Sequence, residues 1–318
     1  MKNRKKYNKK KYLKIVLYIV LFFILVFIID YGTINIDYLI NKKDYEKSFL
    51  VQGINDKLVP QGLTYSSKYN VVLQSSYSDD GKNSILFVIN YDNGELIKSL
   101  KLMNETGYFT DSHSGGLTTD NDKVYITSNY RLEEYSLEDI MKTNDNYIKA
   151  ISSSELNNRG DFCLYHDNYL WIGEFHFRYY DSIPGGKPLL FGYDMTNFNN
   201  YDIPNYVIAL PNMVQGMDIL PDGSFVFSRS FSYLIFSHIN IYKNVIEEDT
   251  DNSYQVKGTE VPYYEFNKNN KIKEIKIPPM AEGMFYKDNY LYIMFESGSS
   301  KYWKAIPKIR NIIKYKID

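Results

Sequence analysis

Two patterns of apolar and polar residues divide the chain. Residues 15–29 read Ile-Val-Leu-Tyr-Ile-Val-Leu-Phe-Phe-Ile-Leu-Val-Phe-Ile-Ile, with no charge, Gly or Pro. Tyr12 and Leu13 extend the run, and Lys14 can lift its ammonium to the headgroups. From Tyr12 to Ile29 the stretch is long enough to span a bilayer as a helix. A helix apolar on every face is a buried core or a membrane span, and the basic cluster before it selects the span. The run ends Phe27-Ile28-Ile29-Asp30-Tyr31, without a small-residue cleavage triplet and without a nearby Cys. It therefore reads as an uncleaved signal anchor. Residues 30–46 follow as a polar stalk with little periodicity. From residue 47 onward, short alternating runs are separated by Asp79-Asp80-Gly81, Asp92-Asn93-Gly94, Asp167-Asn168 and Asp222-Gly223, which are turn signals between strands. Outside the anchor no long helical period occurs, and 139–142 allows at most one turn.

The strands repeat. Five units share one plan: Gln61-Gly62-Leu63-Thr64 before Val71-Val72-Leu73, and Gly115-Gly116-Leu117-Thr118 before Val124-Tyr125-Ile126. Asp161-Phe162-Cys163-Leu164 precedes Leu170-Trp171-Ile172, Gln215-Gly216-Met217 precedes Phe225-Val226-Phe227, and Glu282-Gly283-Met284 precedes Leu291-Tyr292-Ile293. Four units carry Gly at one place, where the third has Phe162. Two further strands follow each pair: 84–90 and 96–100, 132–136 and 147–152, 189–193 and 205–210. After the fourth pair come 238–242 or 262–266, then 271–277. Four strands per unit, repeated radially, predict an all-β β-propeller. The fifth unit retains only 311–317, so 47–54 is expected to return as its outer strand and close the ring. Five blades is the count; a sixth requires a divergent blade within 241–262.

On Gln61-Gly62-Leu63, His113-Ser114-Gly115-Gly116, Gln215-Gly216-Met217 and Glu282-Gly283-Met284, the chain resembles bacterial surface and secreted propellers of the SMP-30/gluconolactonase and NHL-like group. Over residues 60–120 it also resembles the plant-type glutaminyl cyclotransferases, a resemblance that implies five blades. The Trp-Gly-Leu and Asn-Glu-Leu-Glu elements of that second family are not in this sequence. Fold likeness of this kind leaves the activity open.

Charge sharpens the division. The formal net charge is −1, yet residues 1–14 hold eight of the 37 basic residues and no acid, which leaves 29 basic against 38 acidic residues, or −9, in the rest. The basic side is expected to stay cytoplasmic. The chain then divides into a basic cytoplasmic tail (1–14), a transmembrane signal anchor (15–29), the stalk (30–46) and an extracytoplasmic propeller at a bacterial cell surface (47–318). An acidic body argues against nucleic acid as a partner. Cys163 is the single cysteine and has no internal disulfide partner.

Candidate chemistry sits where inner strands meet the channel. The residue before the repeated Gly is Gln61, Gly115, Asp161, Gln215 or Glu282, and strand periodicity gives these five one orientation. Two amides and two carboxylates there predict a ligand-facing ring, with Gln61, Asp161 and Gln215 as ligand-binding residues; hydrogen bonding to neighbouring blades is the competing role. His113, Asp161, Glu174 and His176 are placed to converge between the second and third blades, a mixture of imidazoles and carboxylates suited to a divalent metal ion. Glu282 and Glu296 are a candidate acid/base pair. Arg229 is a candidate anion binder or counter-ion at the mouth. Tyr179, Tyr180, Tyr292 and Tyr302 are candidates to stack on a sugar or to fill a blade. Gly185-Gly186 reads as a loop over one face and 247–251 as a solvated acidic insertion. Two functions follow. One is a membrane-tethered module binding a wall polymer, small molecule or protein at its channel mouth. The other is a metal-assisted hydrolase or lyase.

Overall fold

The computed structural model describes residues 2–177, 186–196, 198–247 and 250–317. Tyr179, Tyr180 and Gly185, and Glu248 and Asp249 of the acidic insertion, lie outside the described residues. Helix α1 (Lys2–Asn41) contains the one stretch among the described residues long and apolar enough to cross a membrane. From Lys11 to Asp30 every residue is exposed, so the protein itself does not cover this apolar surface. An apolar N-terminal helix followed by a separately packed body fits a single-pass membrane protein.

The helix does not end at the anchor. It continues to Asn41, so most of the expected stalk is helical. Tyr31, Ile34 and Tyr38 recur at three- and four-residue spacing and share one face. That face lies on the body: Ile34 is buried, Tyr38 packs on a core cluster, and Asp37 pairs with Lys276. Three such residues among polar neighbours are too few to register as a periodic run, which is why the sequence pattern reads as a stalk.

The body is a five-bladed propeller. Strand β1 (Glu46–Leu50) leaves the helix. Blade 1 follows as β2 (Leu58–Ser66), β3 (Val71–Ser78), β4 (Ser84–Asn90) and β5 (Leu96–Met103). Blade 2 begins with β6 (Gly116–Thr119), β7 (Lys123–Ser128) and β8 (Arg131–Ser136), then a one-turn helix α2 (Leu137–Lys142) capped by the Ser136 hydroxyl. The next stretch divides: β9 (Tyr147–Lys149) joins the outer edge of blade 1, parallel to β5, and β10 (Ser152–Glu155) completes blade 2. Blade 3 is β11 (Phe162–His166), β12 (Tyr169–Gly173), β13 (Leu189–Asp194) and β14 (Tyr206–Ala209). Blade 4 opens with β15 (Val214–Ile219), β16 (Phe225–Arg229) and β17 (Ser237–Tyr242).

The insertion that left room for a sixth blade is a hairpin, β18 (Ser253–Val256) and β19 (Thr259–Glu265). It crosses back to blade 3, where β19 runs parallel to β14. The chain then returns as β20 (Lys271–Ile277), the outer strand of blade 4. Residues 262–266 are thus no part of blade 4. Val256 and Val261 explain the crossing, because both bury against the cluster between blades 2 and 3. Blade 5 is β21 (Ala281–Lys287), β22 (Tyr290–Phe295) and β23 (Asn311–Lys316), and β1 pairs antiparallel with β23 to close the ring.

The core is a ring of five apolar clusters, one in each junction between neighbouring blades. Middle strands are therefore covered on both faces, and β3 and β22 are buried almost end to end. The closing junction holds Val51 and Ile54 from the segment after β1, packed with Phe285, Tyr292 and Ile312 of blade 5. Tyr292 stacks on Phe285 at 4.5 Å and is a blade filler rather than a sugar platform. Because this junction joins the two ends of the body, Ile54→Ala is expected to lower unfolding free energy by about 2–4 kcal/mol. Urea denaturation of the purified protein measures it; a loss below about 0.5 kcal/mol would show that the closure contributes little.

Candidate functional site at the channel mouth

The repeated glycines set the width of the channel. A Cβ on Gly62 would stand 2.4 Å from the Leu117 Cβ of the next inner strand, and one on Gly283 would stand 2.6 Å from the Gln61 carbonyl oxygen. Neighbouring inner strands therefore approach backbone to backbone. Hydroxyls of the second strands fasten them. Ser75 accepts from the Gly62 N–H at 2.8 Å and donates to the Ser114 carbonyl at 2.7 Å, and Ser228 donates to the Glu282 carbonyl at 2.8 Å. In blade 3, Phe162 replaces the glycine and instead packs into the cluster between blades 3 and 4.

Three of the five ring residues sit at breaks in strand register. Pairing of β2 with β3 shifts between Pro60 and Leu63, that of β15 with β16 between Val214 and Gly216, and that of β21 with β22 between Ala281 and Met284. A bulge re-aims its side chain out of the ladder. Gln61, Gln215 and Glu282 are thereby turned into the channel. Together with Gly115 and Asp161 they line a single cavity of about 350 Å³. Tyr77, His113, Ser128, Asn129, Arg159, Phe175, Phe231, Glu296 and Tyr302 complete its wall.

Each amide of the ring holds a carboxyl. Gln61 Nε2 donates to Glu296 Oε1 at 2.6 Å, and Gln215 Nε2 donates to Glu282 Oε1 at 3.0 Å. Tyr302 adds a long hydrogen bond to Glu296 Oε1 at 3.4 Å. Glu282 is 4% exposed. Burial, and then the neighbouring Glu296 charge, hold its carboxyl well above the ordinary range. Burial deep in the channel also pushes Glu296 up to about 7, against the pull of the Tyr302 and Gln61 hydrogen bonds and the Lys301 charge. Two neighbouring buried carboxyls do not both ionise readily. Glu282 is the protonated member, and Glu296, with its hydrogen-bond donors, is the one that titrates near neutrality.

The metal set does not assemble. Among the described residues no three His, Cys, Asp or Glu side chains gather at metal-holding distance. Asp161 accepts from the Phe175 N–H at 2.8 Å and from Arg159 at 3.1 Å. Glu174 is buried and accepts from the backbone N–H groups of Arg159 and Leu189 at 3.3 and 3.2 Å. His176, also buried, lies 3.5 Å from Glu174. Only His113 and Asp161 of the four line the cavity, and His113 stands exposed at its rim with its ring 4.4 Å from Tyr77. Backbone donors thus occupy the carboxylates that a metal ion would need. Burial raises both Asp161 and Glu174 above the usual carboxylate range.

Arg229 is not in the cavity wall. Its Nε donates to the Asn212 carbonyl at 2.8 Å, next to the strand end it occupies. The guanidinium at the mouth belongs to Arg159, two residues before the ring position of blade 3. Sequence reasoning passed over Arg159, Tyr77 and Phe231. The usable signal for Arg159 was its place beside Asp161 in Arg159-Gly160-Asp161. Tyr302 is in the wall, while the buried thiol of Cys163 is pushed up to about 12 and is part of the core.

No protein-family model matches the chain, and the comparison with curated proteins returns no match. Solved structures of similar form include propellers of the two groups that the repeat motifs resemble. A glutaminyl cyclase of Myxococcus xanthus has 9% identity and a TM-score of 0.48, over 86% of this chain and 95% of that one. A gluconolactonase of Xanthomonas campestris has 8% identity and a TM-score of 0.39, over 79% and 92%. The PQQ-bound aldose sugar dehydrogenase of Streptomyces coelicolor has 12% identity and a TM-score of 0.43, over 79% and 76%. Likeness at this level carries no argument about activity.

Proton linkage follows from the buried acids. The folded pKa of Glu296 stands at about 7 against an ordinary 4.5, and Glu282 is raised as well. Asp218, buried under Tyr286 and Ile219 N–H donors, stands at about 7 against 3.8. Above their ordinary values these groups hold protons only in the folded state, so unfolding releases protons and stability falls as pH rises toward 7. The melting temperature is expected to fall over that window, and to fall less steeply in Glu296→Gln. Parallel pH profiles for the two proteins would contradict the assignment.

Proposed function

We propose that this protein is a membrane-tethered receptor-like or catalytic propeller that takes a small polar ligand into its channel mouth. The observation that carries this reading is the ring itself. Two amides and three carboxyls, Gln61, Gln215, Asp161, Glu282 and Glu296, face one cavity beside an Arg and two Tyr hydroxyls, and that cavity is wide enough to admit a ligand between them. A volume of about 350 Å³ lies near the lower end of ligand pockets. It suits a molecule the size of one sugar ring or one amino acid. Phe175 and Phe231 offer the apolar wall, and the amides and acids offer hydroxyl- or amide-directed contacts. The basic tail is assigned to the cytoplasm and the propeller to the outside, as the charge asymmetry directs.

A titration of the full-length protein in detergent with monosaccharides, amino acids and short peptides tests the binding. A ligand that raises the melting temperature is expected to lose about tenfold or more in affinity with Gln61→Ala or Gln215→Ala, the loss of about one charge-assisted hydrogen bond. Ligands indifferent to every ring substitution would place binding elsewhere.

The Glu282–Glu296 pair favours a second reading, in which the bound molecule undergoes acid/base chemistry. Protonated Glu282 is the acid and Glu296, near neutrality, the base. Turnover is then expected to rise with pH through about 7. Glu296→Gln is expected to remove turnover by at least about a hundredfold while binding remains. Activity unchanged in that variant would leave binding alone.

A further inference from the structure

The docked half of α1 fixes where the membrane lies relative to the cavity. One residue past Asp30, where the fully exposed stretch ends, Tyr31 donates to the Lys304 carbonyl at 2.8 Å. Lys304 belongs to the loop between β22 and β23. That is the same loop that brings Glu296 and Tyr302 to the cavity. Below it, the helix runs down the outside of blades 4 and 5, through Asp37 on Lys276 and Tyr38 near Tyr45. The apolar part of α1 therefore leaves the body at the level of the channel mouth, and the bilayer begins there.

The loops on that face match such a neighbour. Trp303 is 73% exposed, and Ile235 and Phe231 are exposed on the loop between β16 and β17. Phe177, which follows β12, is exposed and stacks on Phe231 at 3.9 Å. The 230–236 and 296–310 loops join second to third strands and Phe177 follows the second strand of blade 3, so these tips lie on one face of blades 3 to 5. Residues 296–310 carry Lys301, Lys304, Lys308 and Arg310, all exposed, against one acid, Glu296, in a body that is otherwise acidic. Exposed aromatic and aliphatic tips within a basic loop are the composition of an interfacial membrane contact. On the blade 1 and 2 side the turns at 79–83 and 129–130 are polar apart from Tyr130, and the exposed apolar tips are Tyr108 and Phe109 of the loop after β5, without a comparable basic cluster.

We propose that the propeller does not hang free on its helix but rests its mouth face on the bilayer that α1 spans. Trp303 and Ile235 sit among the headgroups, and the basic loop faces anionic lipid. The cavity then opens beside this anchored edge, directly over the membrane surface. This holds whichever ligand the ring takes.

The two tryptophans make a direct test, because Trp171 is 2% exposed within blade 3 and α1 contains none. Full-length protein is reconstituted in vesicles of phosphatidylcholine and phosphatidylglycerol, with or without bromine on the acyl chains near the headgroups. Bromine quenches only a tryptophan in contact with lipid. The expected result is that brominated vesicles remove most of the Trp303 emission, and that Trp303→Phe, an exposed substitution that leaves the core untouched, shows no quenching. Unquenched emission from the native sequence would overturn the proposal. Quenching that persists in Trp303→Phe would overturn it too, since lipid would then reach blade 3 rather than the mouth.

Discussion

Around the channel, neighbouring inner strands touch through glycine backbone, with Gly62 against blade 2 and Gly283 against blade 1. No side chain fits between them. Ser75 fastens blade 1 to blade 2 through the Ser114 carbonyl, and Ser228 fastens blade 4 to blade 5 through the Glu282 carbonyl. This tight approach determines much else. It brings the five blades close enough for one apolar cluster to fill each junction. It also leaves the residue beside each glycine with only one place to go, the channel. Bulges at Gln61, Gln215 and Glu282 complete that redirection. The polar ring is thus a consequence of ring closure, and its burial is what raises the carboxyls it contains.

The electrostatics follow from that burial. Two acids in a dry site would repel if both were charged, and here desolvation disfavours both charges. Each carboxyl takes one ring amide, and Tyr302 and the Lys301 charge break the symmetry in favour of Glu296. Gln61 and Tyr302 both donate to Glu296, which favours its anion, while Glu282 keeps its proton. An arrangement of one acid and one base a short way apart serves recognition of a polar ligand and proton transfer equally well. Asp161 and Arg159 supply the opposite side with a fixed ion pair at 3.1 Å. The propeller therefore presents a mouth with a neutral acid on β21, a titrating acid just past the end of β22, and an ion pair just before β11.

Much of this was legible in the sequence because repeats carry their own register. The Gly positions, the turn pairs and the returning first strand gave five blades and the ring of Gln61, Gly115, Asp161, Gln215 and Glu282. Features set by contacts between distant segments were not legible. The 253–265 hairpin joins blade 3 because of where Val256 and Val261 bury, which no local pattern states. Likewise 147–149 crosses to blade 1. Arg229 ends a second strand just as Glu174 does, yet it turns to the Asn212 carbonyl while Arg159 enters the mouth. Residue type and spacing grouped His113, Asp161, Glu174 and His176, but backbone N–H groups reached two of those carboxylates first. The docking of α1 rests on three residues in a polar stretch, too sparse a signal to read in advance.

The account stands or falls on the protonation of the channel pair. Infrared spectroscopy of the full-length protein at neutral pH reads it directly, through the C=O stretch of a protonated carboxyl in a dry environment. The account predicts such absorption at pH 7, with the Glu282 component removed in Glu282→Gln and kept in Glu296→Gln, while Glu296 and Asp218, which stand at about 7, contribute a part that fades as pH rises. A spectrum in which Glu282→Gln changes nothing would mean that Glu282 is ionised in the channel, and would contradict the account.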